Sequence, residues 1–370
     1  MYSISFTDAD NGWASGQYGM LFHTSNGGNT WETQSSGTSE YLWAICFKNS
    51  ATGWTAGADG IILKTTDGGS SWLPQTSGSN MVLKAIDFTD LNTGTIVGEG
   101  GVILRTTDGG STWTQQSSPA GNWLFDLHFV NSVNGWAVGA FGSIINTSNG
   151  GANWNLQNSG VTSYLRSVFF TDALNGLVTG DGGVILKTTD GGTTWTPITS
   201  GVTNRLLSVY FVNAASGWIA GDVGKILKTT DGGETWVSEI SGRIYWLNSV
   251  TFINANTGWI AGDEGTILKY TGGSTSMEEK NQPFSFCLFP NFPNPFNPTT
   301  IISYQLEEDS FVELSVFDVI GKAVTRLVNK KQSRGNYRVE FDASELSSGV
   351  YFYNLKTDQN SITKKMVLLR

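Results

Sequence analysis

Thr106-Thr107-Asp108-Gly109-Gly110-Ser111-Thr112-Trp113 decides the fold, because the chain spells it again at one fixed interval. Near copies end at Trp31, Trp72, Trp113, Trp154, Trp195 and Trp236, each 41 residues after the last. A second landmark keeps the same step: Gly12, Gly53, Gly94, Gly135, Gly176, Gly217 and Gly258. Seven units are present. A period of this size marks a repeat architecture in which each unit buries its apolar faces against its neighbours.

The second unit shows how one repeat is built. Leu42-Trp43-Ala44-Ile45-Cys46-Phe47 alternates in the manner of a strand (strand A), and its last residue recurs as Phe6, Phe88, Phe129, Phe170, Phe211 and Phe252. Gly53-Trp54-Thr55-Ala56-Gly57 follows as strand B, then Ala58-Asp59 between Gly57 and Gly60, a hairpin expected to need positive φ at both glycines. Ile61-Ile62-Leu63-Lys64-Thr65 is strand C. Thr66-Asp67-Gly68-Gly69-Ser70 then turns the chain into strand D at Ser71-Trp72. In that turn the carboxylate of Asp67, Asp108, Asp190 or Asp231 accepts backbone N–H groups two or three residues on. Asn26 and Asn149 offer an amide oxygen for the same bonds, which makes the position structural. The tryptophan is expected to fold over the turn and seal the gap to the next unit.

Four short strands per unit, repeated seven times without a helical pattern, predict an all-β fold: a seven-bladed β-propeller over residues 1–275. The turn spelling resembles the Asp-box of sialidase-type propellers. The whole unit resembles the propeller of the photosystem II assembly factor family, a likeness that bears on fold more than on photosynthetic work. The seventh unit departs from the pattern: Tyr270-Thr271-Gly272-Gly273-Ser274-Thr275 lacks the Asp and the Trp, and no clear strand D follows. Propellers commonly close such a blade with the opposite terminus. The chain starts at strand A with no secretory leader, so a truncated start is expected.

Residues 276–298 hold five of the eight prolines and read as a stiff linker. Beyond it, Thr300–Tyr304, Val312–Val316, Tyr337–Phe341, Val350–Tyr353 and Met366–Leu369 read as strands of an Ig-like β-sandwich over 299–370. Asn291-Phe292-Pro293-Asn294-Pro295-Phe296-Asn297-Pro298, Phe317-Asp318 followed by Gly321-Lys322, Ser348-Gly349-Val350-Tyr351 and Lys365-Met366-Val367-Leu368-Leu369-Arg370 resemble the type A C-terminal sorting domain of the type IX secretion system. The resemblance implies that residues 284–370 address the chain to that secretion machinery, and hence to the outer-membrane surface or the medium.

Composition narrows the function. Residues 1–275 carry 11 Lys/Arg against 20 Asp/Glu, too acidic to neutralise nucleic-acid phosphates. Two histidines and two cysteines leave metal sites and Ser-His-Asp chemistry short of parts, and His128 shares its repeat position with Cys46, Asp87, Phe169 and Tyr210. No catalytic, metal or cofactor-binding residue is assigned, and no apolar run is long enough to span a membrane. A sialidase would need an arginine cluster and usually carries an Arg-Ile-Pro signature, but Arg105, Arg166, Arg205 and Arg243 fall at different repeat positions and Arg243-Ile244 precedes Tyr245. The acids Glu99, Asp181, Asp222, Asp263 and Glu264 fall in the B–C hairpins, where a solvated turn explains them. A binding propeller is therefore expected, with a glycoside hydrolase as the alternative.

The binding face is expected opposite the Asp-boxes. At the start of strand A one position reads Trp43, Lys84, Phe125, Arg166, Leu207 and Asn248, and the position two before it reads Tyr41, Val82, Trp123, Tyr164, Arg205 and Trp246. Units that agree on Gly and Phe yet differ here are not constrained by packing alone. Tyr41, Trp43, Lys84, Trp123, Phe125, Tyr164, Arg166, Arg205 and Trp246 form the candidate set for a glycan or protein ligand, with exposed aromatic anchors.

Overall fold

The computed structural model describes residues 1–272, 278–279, 286–289, 291 and 293–369. Gly273 to Thr275 of the seventh unit, Pro283, Pro290, Phe292 and Arg370 lie outside the described residues. The chain divides into two compact units, Met1–Ser36 with Glu40–Gln282 and Gly37–Ser39 with Pro283–Arg370. No helix among the described residues is long and apolar enough to cross a membrane.

The first unit is a β-propeller. Strands A to D of each repeat pair antiparallel in chain order, giving seven four-stranded sheets among the described residues. In the second repeat these are Leu42–Phe47, Gly53–Gly57, Ile62–Thr65 and Leu73–Gln75. The expected absence of strand D in the seventh repeat is corrected: Glu278–Glu279 pairs with Lys269 and Leu268, so the fourth strand comes from the chain's own continuation.

The core lies between sheets, and one sandwich of rings repeats through it. In five of the seven sheets the strand A phenylalanine lies flat on the strand B tryptophan of the preceding sheet, as Phe47 on Trp13 at 3.7 Å, Phe88 on Trp54 at 3.6 Å and Phe170 on Trp136 at 3.5 Å, whereas Phe129 and Phe211 follow sheets with Thr95 and Leu177 at that position. Its own Asp-box tryptophan meets it edge-on, Trp72 on Phe47 at 5.8 Å and Trp113 on Phe88 at 5.9 Å. The invariant glycine that opens strand B follows from this ring: a Cβ on Gly53 would sit 2.5 Å from the Phe47 ring. The Asp-box tryptophan therefore seals the gap to the preceding unit rather than the next. Trp72 donates to Gln34 and Trp113 to Gln75, each one repeat earlier.

Ring closure repeats the same contact. Phe6 stacks on Trp259 at 3.5 Å, Trp259 Nε1 donates to Gly27 O at 3.1 Å, and Ile4 N donates to Ser249 Oγ at 3.3 Å. No exchanged outer strand is involved among the described residues. The inner edge of the ring is satisfied by side chains: strand A N–H groups donate one sheet back, Phe47 to Ser5 Oγ, Phe129 to Asp87 Oδ2, Val168 to Asp126 Oδ2 and Phe170 to His128 Nδ1. His128 is structural in this setting, and burial lowers its pKa to about 4.

Both hairpins of the repeat differ slightly from expectation. Gly57 is extended (φ −162°), while Asp59 (φ 51°) and Gly60 (φ +69°) take the left-handed conformation. Gly57 is required for space, since a Cβ there would sit 2.0 Å from Tyr41 O. In the Asp-box, Asp67 Oδ1 accepts from Ser71 N four residues on, at 2.9 Å, and Thr65 Oγ1 takes Gly69 N at 2.8 Å.

The second unit packs two sheets over one core. One holds Cys287–Leu288, Thr299–Leu306 and Gly335–Asp342; the other is ordered Ala323–Gln332, Ser310–Phe317, Gly349–Lys356, Ser361–Leu368. Leu288, Ile302 and Tyr304 from the first meet Leu314, Val316, Tyr353 and Leu368 from the second. The stretch read as a linker ends earlier than expected. Phe296 is in this core, Asn291 N donates to the Tyr353 hydroxyl at 2.9 Å, and Val367 N donates to Asn294 Oδ1 at 2.9 Å.

Candidate functional site

Antiparallel strand order puts the C–D turns with the Asp-boxes at one end of every sheet and the B–C turns beside the start of strand A at the other. The link at this second end is direct: the first N–H of the B–C turn donates to the residue before strand A, as Ala58 to Tyr41, Ala140 to Trp123 and Asp181 to Tyr164. All nine candidate residues lie there, in three groups.

The first group is Tyr41, Trp43 and Lys84. Lys84 Nζ sits 3.4 Å from the centre of the Trp43 ring, and Tyr41 meets Trp43 edge-on at 5.8 Å. Tyr2 completes it, stacked on Trp43 at 4.1 Å. Sequence reading missed Tyr2, although subtracting one repeat from Trp43 leads to it. Burial first, and the Arg166 charge second, lower the Lys84 pKa to about 7, so near neutrality the amine on the Trp43 face is only partly charged.

The second group is Trp123, Phe125, Tyr164 and Arg166. The Arg166 guanidinium lies 4.7 Å from the Phe125 ring and 5.3 Å from the Tyr164 ring, and Phe125 is 6.2 Å from Trp123. Asp181 fixes the arginine through two bonds of 2.7 Å, to Nε and to the terminal nitrogen. The third group is Arg205 over Trp246 at 5.1 Å.

The acids of the B–C turns are engaged rather than merely solvated. Besides Asp181, Glu99 accepts from Val82 N, Asp222 from Arg205 N and Asn204, and Asp263 from Asn248 Nδ2. Each ties the turn to the start of strand A.

The expected exposed anchors are corrected. Trp43, Trp123, Tyr41, Phe125 and Tyr164 are half-buried in these stacks, and of the nominated aromatics only Trp246 is exposed, at 42%. Other large apolar side chains that face solvent at this end were not nominated: Met81, Phe141, Val223, Ile244 and Tyr245. Phe141 and Val223 occupy the left-handed position of the B–C turn, where other repeats place Gly100 and Gly182. A β-branched residue at positive φ is strained, and periodic comparison of that turn would have exposed it.

Comparison with known proteins follows the same division of the chain. Residues 1–76, 116–206 and 200–271 match the family of Photosynthesis system II assembly factor YCF48. The chain belongs to that family. Residues 291–369 match the secretion system C-terminal sorting domain. No curated protein sequence matches the chain.

Among solved structures, YCF48 bound to D1 peptide is 24% identical over 73% of this chain and 93% of its own, with a TM-score of 0.63. The GH74 enzyme of Niastella koreensis is 14% identical, with 98% of this chain against 65% of that one and a TM-score of 0.66. PorZ of Porphyromonas gingivalis, a surface component of the type IX secretion system, is 12% identical over 100% of this chain and 59% of its own, with a TM-score of 0.56. These likenesses establish the propeller fold.

Proposed function

We propose that the chain is a seven-bladed binding propeller over residues 1–275, carried to the cell surface or the medium by an Ig-like sorting domain that begins at Asn291. The observation that carries the binding role is the cation–aromatic surface opposite the Asp-boxes. Lys84 and Arg166 are held on ring faces, and Trp246, Ile244, Tyr245, Val223 and Phe141 stand exposed at the same end of the sheets. Packing alone gives no reason to keep a strained, solvent-facing valine or phenylalanine at a left-handed position that two repeats fill with glycine and two with Asp or Glu. Exposed apolar groups on a cation–aromatic surface suit a polypeptide. That YCF48 has been solved with a peptide supports a polypeptide over a glycan.

A glycoside hydrolase reading draws on the GH74 likeness. Against it, four of the B–C turn carboxylates are spent on hydrogen bonds to strand A and its flank, whereas glycoside hydrolysis needs two facing a cleft.

The test is binding of the purified propeller to a peptide array and a glycan array, with Trp43→Ala, Trp123→Ala and Trp246→Ala measured on whatever ligand emerges. Loss of about tenfold or more in at least Trp246→Ala, with folding intact, is expected for an exposed anchor. Full affinity in all three refutes the assignment. Turnover of chromogenic glycosides would favour the hydrolase. For the tail, deletion of residues 284–370 should leave a folded propeller in the periplasm, and unchanged export would overturn the sorting role.

A further inference from the structure

The outer face of the four-stranded sheet in the second unit is divided, and one half of it is apolar. Along Ser310–Phe317, Gly349–Lys356 and Ser361–Leu368, alternate residues such as Leu314, Val316, Tyr353 and Leu368 point into the core, and those between them line the other face. The register sorts that face into rows across the strands. Glu313 lies opposite Lys356, and Asn354 lies between Ser315 and Thr363, which makes one half polar. Phe317 lies opposite Phe352, and Val350 opposite Val367, which makes the other half apolar. None of these four apolar side chains belongs to the core cluster.

The hairpin turn beyond Phe317 extends the apolar half. Val319 is 66% exposed and Ile320 83%. The turn that carries them is held: Gly321 N donates to Asp318 O at 3.1 Å, and Asp318 Oδ1 accepts from Ile320 N at 3.0 Å and Lys322 N at 2.9 Å. Two β-branched side chains are thus presented to water on a fixed support. Of the five large apolar side chains exposed among the described residues of this unit, Val319, Ile320, Val350 and Leu369 share this end of the sheet, and Phe311 alone stands at the other. Such a concentration marks an interaction surface.

Charge selects the partner. Lys322 follows the turn, Lys365 lies opposite Phe352, both are exposed, and neither makes an ion pair among the described residues. Asp318 is committed to the turn, and Glu313 sits in the polar half beside Arg326 at 3.3 Å. A second copy docked on this face would bring lysine against lysine. A protein with carboxylates around an apolar patch meets both features.

We propose that this apolar half-face, with the Val319-Ile320 turn at its end, is the surface on which a protein of the secretion machinery docks, through an apolar patch of its own bordered by acidic groups. The inference rests on the sorting reading of residues 284–370.

The experiment measures export of the full chain in a bacterium that has a type IX secretion system, beside the chain lacking residues 284–370. Val319→Ser with Ile320→Ser should lower the secreted fraction about tenfold and leave a protein in the periplasm that melts like the parent. Lys322→Glu with Lys365→Glu should also lower it, and keeps the test readable if the serine pair fails to fold. Phe311→Ser, on the same face in the polar half, should be exported like the parent. Normal export of both double variants, with the truncated chain retained, overturns this docking surface and leaves the sorting reading standing. Export of the truncated chain overturns the sorting reading and the surface with it. Sedimentation of the purified chain across concentration, and flotation with anionic and zwitterionic vesicles, address the other occupants. Self-association or vesicle binding that the serine pair abolishes would mean that a second copy or a lipid surface covers the face, and overturns the proposal.

Discussion

At the scale of single residues, two sets of carboxylates in this propeller have opposite pH behaviour. Hydrogen bonds from Thr112 Oγ1, Thr112 N and Thr106 Oγ1 hold the Asp108 pKa at about 2, and Asp67 and Asp190 behave alike. Their folded pKa lies below the unfolded value of about 3.9, so the stability they contribute is present above that value and is lost as pH falls through about 2. Burial instead raises Asp87 and Asp126 to about 6. There the folded state binds the proton more tightly, and stability declines as pH rises from about 4 through 6. Asp87→Asn should flatten that decline, and urea midpoints between pH 4 and 7 check it; an unchanged slope would mean that Asp87 does not titrate there.

The Asp-box itself should tolerate amide. Asn26 Oδ1 still accepts Thr30 N at 2.9 Å while its Nδ2 donates to Thr30 Oγ1, the hydroxyl reversing its role. Asp108→Asn is expected to cost less than the ~0.5–2 kcal/mol of losing such a cap. Trp154→Ala, which removes a ring 6% exposed, is expected to cost ~3–5 kcal/mol. A calorimetric melt that ranks the two in the other order would make the carboxylate, not the ring, the structural centre of the motif. The spelling of the motif made this legible; the direction in which the tryptophan points was not, because both neighbours offer it the same surface.

At the scale of elements, strand positions were legible where alternation and glycine punctuation agreed, as in strands A to C of the second repeat, whereas strand D was read at Ser71-Trp72 and begins only at Leu73, because the tryptophan belongs to the turn. Ala323–Gln332 was missed because Arg326, Lys330 and Lys331 break the apolar run: it is the edge strand of its sheet, and charge there guards the open edge. Glu278–Glu279 was missed because two residues carry no period. The B–C turn holds the element-scale prediction. Gly60→Ala places a Cβ 1.8 Å from Ser79 O at φ +69°, whereas Val223→Gly relieves a side chain at φ 53°. The first should destabilise by more than ~2 kcal/mol, and the second should be neutral or stabilising by ~1 kcal/mol. Equal effects in denaturant titrations would remove strain as the reason for regarding Val223 as functional. If strain is the reason, Val223→Gly should also weaken ligand binding while it stabilises the fold.

At the scale of the whole propeller, the seven interfaces do unequal work, and five of them hold a strand B tryptophan stacked on the next sheet's phenylalanine. Six join sheets that are consecutive in the chain, so breaking one leaves its partners tethered. The seventh joins the first sheet to the last through the Phe6–Trp259 stack, the Trp259 bond to Gly27, and the Met1 amine bond to Gly262 O. Trp54 makes the same contacts between tethered sheets, stacking on Phe88 and donating to Gly109 O. In an array held by nearest neighbours, loss of the closing interface turns a ring into a row whose end sheets have one neighbour each. Trp54→Ala and Trp259→Ala should therefore cost a similar ~3–5 kcal/mol in the interface itself but differ in what unfolds. Amide exchange in Trp259→Ala should accelerate first in the strands Ser3–Phe6 and Leu247–Asn254, with the fourth sheet, Leu124–Phe129 and its partners, still protected. In Trp54→Ala the first and last sheets stay joined, and the loss should centre on the second and third. If exchange rises evenly around the ring in Trp259→Ala, closure is not what makes the first unit cooperative.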